Sequence, residues 1–304
     1  MEMNTVIAID EPEKKSVFSC FPLERLNILH PARPRQLNLT QIQHDILHTV
    51  NTSMVTTCVL LHTRLTRQGM ADYPIEQLRK ELKRLSEYGY LTKMEFCTPS
   101  ARSLTKVFAL SNQGKDYIRS CGVHPVRTRY VSGLDAIHCK KLLSAQQFLL
   151  SQGWEGQAEI GRMVIENVPE GEATKHLFRT HALVQKEDAT IFVESVRAIP
   201  GAAQDLLDKL KRMDRTLALG NRLNIPLNRQ LQVIVCCENY NHMEQIIEAV
   251  GASGLGFDFS LHFTNDYDTF HNPEACIYVH RGNRKTLANR ASSAVQGFWD
   301  LLVG

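Results

Sequence analysis

Between residues 37 and 123 the apolar positions recur first at helical spacing and then at every second residue. Helices are predicted after residue 40, over 57–67, and from Pro74 to Gly89, because proline suits the first helical turn and glycine the position just past the last. The segments YLTKMEF and LTKVFALS alternate in polarity and predict a β-hairpin. A closing helix is predicted after Ser111, which is a good helix cap.

The third predicted helix is amphipathic. Its apolar stripe consists of Ile75, Leu78, Leu82 and Leu85. The other face and the hairpin supply candidates for DNA binding: Tyr73, Gln77, Lys80, Lys83, Arg84, Lys93, Arg102 and Lys106. Such a helix fits the major groove, where Gln77 would read adenine, Lys80 or Arg84 would contact guanine or phosphate, and the hairpin would contact the backbone. The alternatives are a charged face that is merely solvated, and a domain that binds protein.

The second half, residues 133–304, alternates strands with helices. A long helix is predicted near 133–154, followed by strands at 158–165, HALVQ and ATIFVESVR, a helix over 202–218, and a further strand, helix and strand. The nearly continuous apolar run LQVIVCC predicts a buried central strand. This order predicts an α/β domain with a mixed sheet. The apolar side of the 202–218 helix is expected to pack on that sheet, with a dimer interface as the alternative.

Residues 1–36 are charged at the start and contain several prolines near the end, which disfavours a helix. We predict a flexible arm, although its apolar residues could dock on a neighbouring surface. Three segments are therefore expected: the arm, a DNA-binding domain over 37–123, and the α/β domain over 133–304.

Composition and charge fit a globular protein with two packed domains, since the chain has 304 residues of which 43% are hydrophobic. No apolar run approaches the roughly 18 residues of a membrane span, and acidic residues stand where a signal peptide would be basic. The expected location is cytoplasmic.

The eight cysteines include no CxxC pair and are expected to be buried free thiols. Residues 35–129 contain 14 Lys+Arg against 7 Asp+Glu, a net charge of +7. The whole chain has a net charge of +3, so the remaining residues have a net charge of −4. Only one segment is therefore suited to phosphate.

The segment LRKELKRLSEYGYLTKMEF…TKVFALSNQGKDYI resembles the winged-helix domains of PadR- and MarR-like transcription regulators. In those proteins a leucine-rich recognition helix ends in Gly-Tyr-Leu, continues into the wing, and is followed by a further helix. The resemblance implies an α+β winged helix that binds duplex DNA.

In the second half, the order helix–β–β–β–helix–β and the segment THALVQKEDATIFVESVR resemble the PD-(D/E)xK nuclease core. In that family an Asp and a Glu hold a divalent cation and a Lys positions the attacking water. This chain has Glu194 at the Glu position, but His181 at the Asp position and Val196 at the Lys position, while Arg197 alternates to the other strand face. The resemblance implies an inactive nuclease-like domain. Its combination with a winged helix is similar to plasmid replication-relaxation and mobilisation accessory proteins.

The leading hypothesis is a non-enzymatic, dimeric DNA-binding protein, either a transcription regulator or a plasmid or mobile-element accessory factor. The second domain would then dimerise, bind a partner or grip further DNA. A second hypothesis is a metal-dependent nuclease with a rearranged site, in which Glu159, Glu166 or Glu172 replaces the missing Asp and acts with Glu194 and His181. A third is a ligand-sensing domain, for which the sequence has no motif.

Two pairs of residues have the helical spacing of metal ligands, His44 with His48 and Cys58 with His62. Neither pair has a third ligand in the sequence pattern, so no metal or cofactor is predicted.

Overall fold

The computed structural model describes residues 18–19, 24–29, 36–70, 73–97, 105–125, 135–165, 177–220, 223–271, 273 and 276–279. Within these residues the chain is mixed α and β, with a four-stranded antiparallel sheet, a six-stranded mixed sheet and a two-stranded ribbon.

The first half contains four helices and four strands in an order close to the predicted one. They are β1 (Arg25–Leu29), α1 (Gln41–Ser53), β2 (Val55–Thr57), α2 (Cys58–Arg67), α3 (Ile75–Glu87), β3 (Leu91–Cys97), β4 (Lys106–Leu110) and α4 (Asn112–Ser120). The antiparallel sheet has the order β1-β3-β4-β2. The predicted helices and hairpin are confirmed here. Capping explains two of the starts, since Thr57 Oγ1 accepts from Leu60 N–H (3.2 Å) and Ser111 Oγ accepts from Gly114 N–H (3.1 Å).

The strands β1 and β2 are differences from the sequence analysis. The flexible-arm prediction for 1–36 does not hold for Arg25–Leu29, which pairs antiparallel with β3 from Arg25↔Cys97 to Leu29↔Lys93. The reason is that the backbone N–H and C=O groups on the outer edge of β3 need hydrogen-bond partners, and five extended residues of the arm supply them. Strand β2 was missed because a three-residue strand between two helices has too few positions to show a period; it pairs with β4.

The second half contains the remaining elements. They are α5 (Ala136–Ser151), β5 (Ala158–Ile160), β6 (Met163–Ile165), β7 (Leu177–Arg179), β8 (Ala182–Gln185), β9 (Ala189–Ser195), α6 (Ala202–Leu217), β10 (Gln230–Cys237), α7 (Tyr240–Ala252), β11 (Ser260–Asn265), α8 (Asp266–His271) and β12 (Tyr278–Val279). The six-stranded sheet has the order β12-β11-β10-β9-β8-β5, and β9, β10 and β11 run parallel. The α/β order and the mixed sheet are confirmed. The strand predicted over 158–165 is interrupted at Gly161, whose φ of 63° a β-strand cannot accommodate.

Helices cover both faces of the large sheet. Helix α5 packs on one face and α6 and α7 on the other, and the apolar side of α6 lies on the sheet as predicted. Strand β10 is central and buried, so its adjacent residues Cys236 and Cys237 enter opposite cores. The described cysteines are free, and four of them are buried as expected, but Cys121 is exposed. None of the described helices is long and apolar enough to cross a membrane.

The two halves share one hydrophobic core. Met54, Val55 and Val107 of the first half pack in the same cluster as Leu142 and Phe148 of α5. Buried polar contacts join the same surfaces: Thr56 Oγ1 donates to Gln146 Oε1 (3.0 Å), and Gln146 Nε2 donates to the Val55 carbonyl (3.2 Å). Residues 37–123 cut from the chain would therefore expose apolar surface that α5 covers.

Candidate nucleic-acid interface

The outward face of α3 is polar and mostly basic. Leu78, Leu82 and Leu85 are buried beneath it. The exposed residues of the helix are Glu76, Gln77, Arg79, Lys80, Lys83, Arg84 and Glu87. Four cations against two carboxylates give this face a charge of +2. Four of the five α3-region residues predicted to bind DNA are therefore exposed on one helix.

Two of these cations already have acidic partners on the helix. Arg79 pairs with Glu76, and Lys83 Nζ lies 3.7 Å from Glu87 Oε1. Both pairs are exposed, so they add little to stability, but each carboxylate competes with a phosphate for its cation. Within the described residues, Lys80 has no such pair.

Tyr73 lies just before α3, and Gln77 lies in its first turn. Tyr73 is half-buried, whereas Gln77 is exposed. Burial, followed by the nearby Glu81, raises the pKa of Tyr73, so its phenol is neutral at pH 7. His62 Nε2 lies 2.9 Å from the Tyr73 carbonyl and fixes the turn that leads into the helix. The contact from His62 thus holds the end of α3 where base-reading residues are expected.

The hairpin contributes less exposed charge than predicted. Lys93 is half-buried and its Nζ lies 3.6 Å from Glu95 Oε1, whereas Lys106 is exposed at the start of β4. Arg102 lies outside the described residues. Lys106 is therefore the described hairpin cation that is best placed for a phosphate.

A groove of about 1060 Å³ runs along one flank of α3. Its basic lining consists of Arg79, Lys80, Lys83, Lys93 and Lys106. Its apolar lining includes Leu29 (40% exposed), Val59 (48%) and Phe270 (56%), so β1, α2 and α8 all border it. The groove thus combines parts of both halves, which the sequence analysis did not connect, and it adds Arg79 to the predicted basic set.

The second half contains a buried polar cluster around Glu194. Glu194 lies near the end of β9 and is 1% exposed. His181 precedes β8, where the strand register brings it opposite Glu194, and its Nδ1 lies 2.9 Å from Glu194 Oε2. Lys209 of α6, whose side chain is 21% exposed, pairs with the same oxygen. The structure therefore brings together the two residues of the nuclease hypothesis and adds a lysine that the sequence analysis missed.

The protonation states of His181 and Glu194 show which residue carries the positive charge in this cluster. Burial lowers the pKa of His181 to about 4, against the opposing effect of Glu194, so the ring is neutral at pH 7. Its Nδ1 also accepts the Ser195 N–H (3.0 Å), which leaves no proton there for Glu194. Burial alone would raise the pKa of Glu194, but the Lys209 ammonium holds it below its ordinary value. Lys209 is therefore the charged partner of Glu194.

The other residues of the nuclease hypothesis have contacts of their own. Val196 is buried with the α6 and α7 side of the core. Arg197 points to the other face, as predicted, where it is fully buried and its Nη1 donates to Asp266 Oδ2 (2.6 Å). Glu159 pairs with Arg162 at 2.6 Å. Glu166 and Glu172 lie outside the described residues.

Lys209 gave no sequence signal because it is one of several charged residues on the polar face of an amphipathic helix. Lys209 differs from the other charged residues of α6 only because the fold places it beside Glu194 of β9.

Comparisons with family models, with curated proteins and with solved structures found no match.

Proposed function

We propose that this chain binds duplex DNA through α3 and the β3–β4 hairpin and that it does so without enzymatic activity. The observation on which this rests most is the exposed face of α3, with its charge of +2, beside Lys106 of the hairpin. An α-helix of this kind fits the major groove, and lysines on an adjacent hairpin reach the phosphates.

The element order supports the same proposal. Helix α1, strand β2, helices α2 and α3, and the β3–β4 hairpin follow one another as in a winged helix, and β2 pairs with β4 beside the hairpin. The resemblance of this segment to PadR- and MarR-like regulators also favours it. We extend the proposal to a role in transcription regulation or in plasmid or mobile-element maintenance.

A homodimer belongs to the proposal because winged-helix and helix-turn-helix proteins commonly bind paired half-sites. The α/β half would then dimerise or bind a partner. Sedimentation velocity with and without DNA measures this directly, and a monomer in both states contradicts it.

The alternative is a nuclease with a rearranged site, favoured by the contact of Lys209 with Glu194. Two facts weigh against it. Glu194 is 1% exposed and already neutralised by that lysine, so neither a phosphodiester nor a hydrated Mg²⁺ reaches it easily. A hard cation also needs several oxygen ligands, and His181 offers nitrogen.

The test is the salt dependence of DNA binding by the full chain, because the shared core makes the isolated segment unsuitable. Lys80, Arg84 and Lys106 are exposed, and Arg79 and Lys83 could exchange carboxylates for phosphates. Three to five neutralised phosphates give a slope of log K against log salt of roughly −3 to −5 per chain.

A double substitution makes this test specific. Lys80→Ala with Lys106→Ala should lower the magnitude of the slope by about 2, because each lost phosphate contact removes about 0.9. The control removes the same charge from α6, on the far side of the large sheet, with Lys211→Ala and Arg212→Ala. A slope near zero for the wild type, or equal effects of the two double variants, contradicts the proposal.

A further inference from the structure

The end of α4 meets α1 at a group of three potential metal ligands. His44 and His48 lie one turn apart on α1, with ring centroids separated by 4.2 Å. Cys121 is the C-cap residue of α4. One ligand atom from each lies within 4.8 Å of the other two, and the described residues contain no second group of this kind. The third ligand that the sequence pattern lacked is thus supplied by tertiary packing.

One nitrogen of this group lacks a partner. His48 Nε2 is shielded from solvent and has no hydrogen bond within the described part of the chain. Leaving such an atom unsatisfied costs free energy, and each instance in a folded protein calls for an explanation. A metal ion bound at His48 Nε2 would supply the partner that this atom lacks in the described part of the chain. Neutral imidazole is the form that binds metal ions.

Tyr117 orients His44, the other histidine of the group. Its hydroxyl lies 2.6 Å from His44 Nδ1. In the tautomer that carries its proton on Nδ1, His44 donates to the Tyr117 hydroxyl, and its Nε2 is left for a metal. Metal-binding histidines usually have such a partner on the second nitrogen.

We propose that His44, His48 and Cys121 form a binding site for one transition-metal ion of the zinc class. Two imidazoles and a thiolate are borderline to soft donors, which favour Zn²⁺, Co²⁺, Ni²⁺ or copper and discriminate against Mg²⁺ and Ca²⁺. Three protein ligands leave a fourth tetrahedral position for water. The Cys121 thiol loses its proton to solvent on binding. A bound ion would clamp the last turn of α4 onto α1, whether or not the chain binds DNA.

Cobalt is the probe for this site. The full chain is stripped of metal with a chelator and titrated with Co²⁺, which reports a thiolate ligand as a near-ultraviolet charge-transfer band and tetrahedral geometry as intense visible bands. We expect both signals to saturate at one equivalent and to vanish when Zn²⁺ is added. Cys121→Ser should remove the charge-transfer band, and His48→Gln should prevent saturation.

Cys58→Ser is the matched control, because Cys58 and His62 have the same helical spacing but no third ligand among the residues that the structure describes. It should leave both signals unchanged. Cys121 is exposed, so Cys121→Ser should unfold at the same temperature as the metal-free wild type, which separates loss of a ligand from loss of the fold. Absence of the charge-transfer band in the wild type, or its survival in Cys121→Ser, overturns the proposal.

Discussion

Replacing Lys209 by methionine tests whether the Glu194 cluster is structural. Methionine keeps the length and the helix propensity of lysine, so α6 should still pack on the sheet. What is lost is the one charged partner that the described residues supply to Glu194, since His181 is neutral. The variant therefore leaves a buried carboxylate without a compensating cation.

The magnitude follows from the burial of the two groups. Breaking a fully buried ion pair by removing one partner costs about 3–5 kcal/mol. Glu194 is 1% exposed, but the Lys209 side chain is 21% exposed, so water at the edge of the cluster reduces the cost. We expect the free energy of unfolding at pH 7 to fall by about 2–4 kcal/mol. Adding Glu194→Gln removes the stranded charge and should restore at least about half of the loss.

The loss should depend on pH with a definite sign. In the wild type the pKa of Glu194 is held below its unfolded value, so the pair stabilises the fold above the unfolded pKa, and this is lost as pH falls through the folded pKa. Without Lys209, burial raises the folded pKa above the unfolded one, and the ionised carboxylate is penalised at neutral pH. The difference between wild type and variant should therefore shrink from pH 7 towards pH 5 as Glu194 binds a proton.

Urea unfolding followed by far-ultraviolet circular dichroism measures these differences, with equal m-values required for the comparison. Arg79→Met is the control, because the pair of Arg79 with Glu76 is exposed and should contribute less than about 1 kcal/mol. A loss below about 1 kcal/mol for Lys209→Met, or one that does not change with pH, would refute the assignment of Lys209 as the partner that makes a buried Glu194 tolerable.

Two further predictions address DNA. Once a preferred site has been selected from random duplexes, Gln77→Ala should lower discrimination between that site and unrelated DNA by about 1–3 kcal/mol. Lys106→Ala should instead weaken binding to the preferred site and to unrelated DNA equally. If the two variants behave identically in competition binding, the proposed orientation of α3 is wrong. Supercoiled plasmid incubated with the chain and Mg²⁺ or Mn²⁺ should remain intact, and nicking that disappears in Glu194→Ala would establish the nuclease alternative instead.

Local patterns account for most of the elements. The stripe of Leu78, Leu82 and Leu85 suffices for α3, because burying one face of a helix needs nothing beyond apolar residues at that spacing. The run that became β10 is apolar throughout, as a strand covered on both faces must be. These elements were predictable because the spacing of their apolar residues shows which faces are buried.

Other elements depend on partners distant in sequence. Strand β1 forms because β3 offers an unpaired edge, and β2 forms because β4 stands opposite it. Neither segment has enough residues to show a period of its own. Backbone pairing of this kind is invisible in a local pattern, since the hydrogen bonds form whatever the side chains are.

The sequence by itself determined the alternation of helices and strands and the basic character of the α3 segment. It also placed Glu194 and His181 in neighbouring extended segments, although His181 lies just before β8. The tertiary structure alone decided which side chains come together. Lys209 of α6 pairs with Glu194, and Cys121 at the end of α4 lies beside His44 and His48. The physical reason is that periodicity fixes the face on which a side chain lies, whereas a cluster of charges or ligands forms only where packing brings faces of separate elements within a few ångströms.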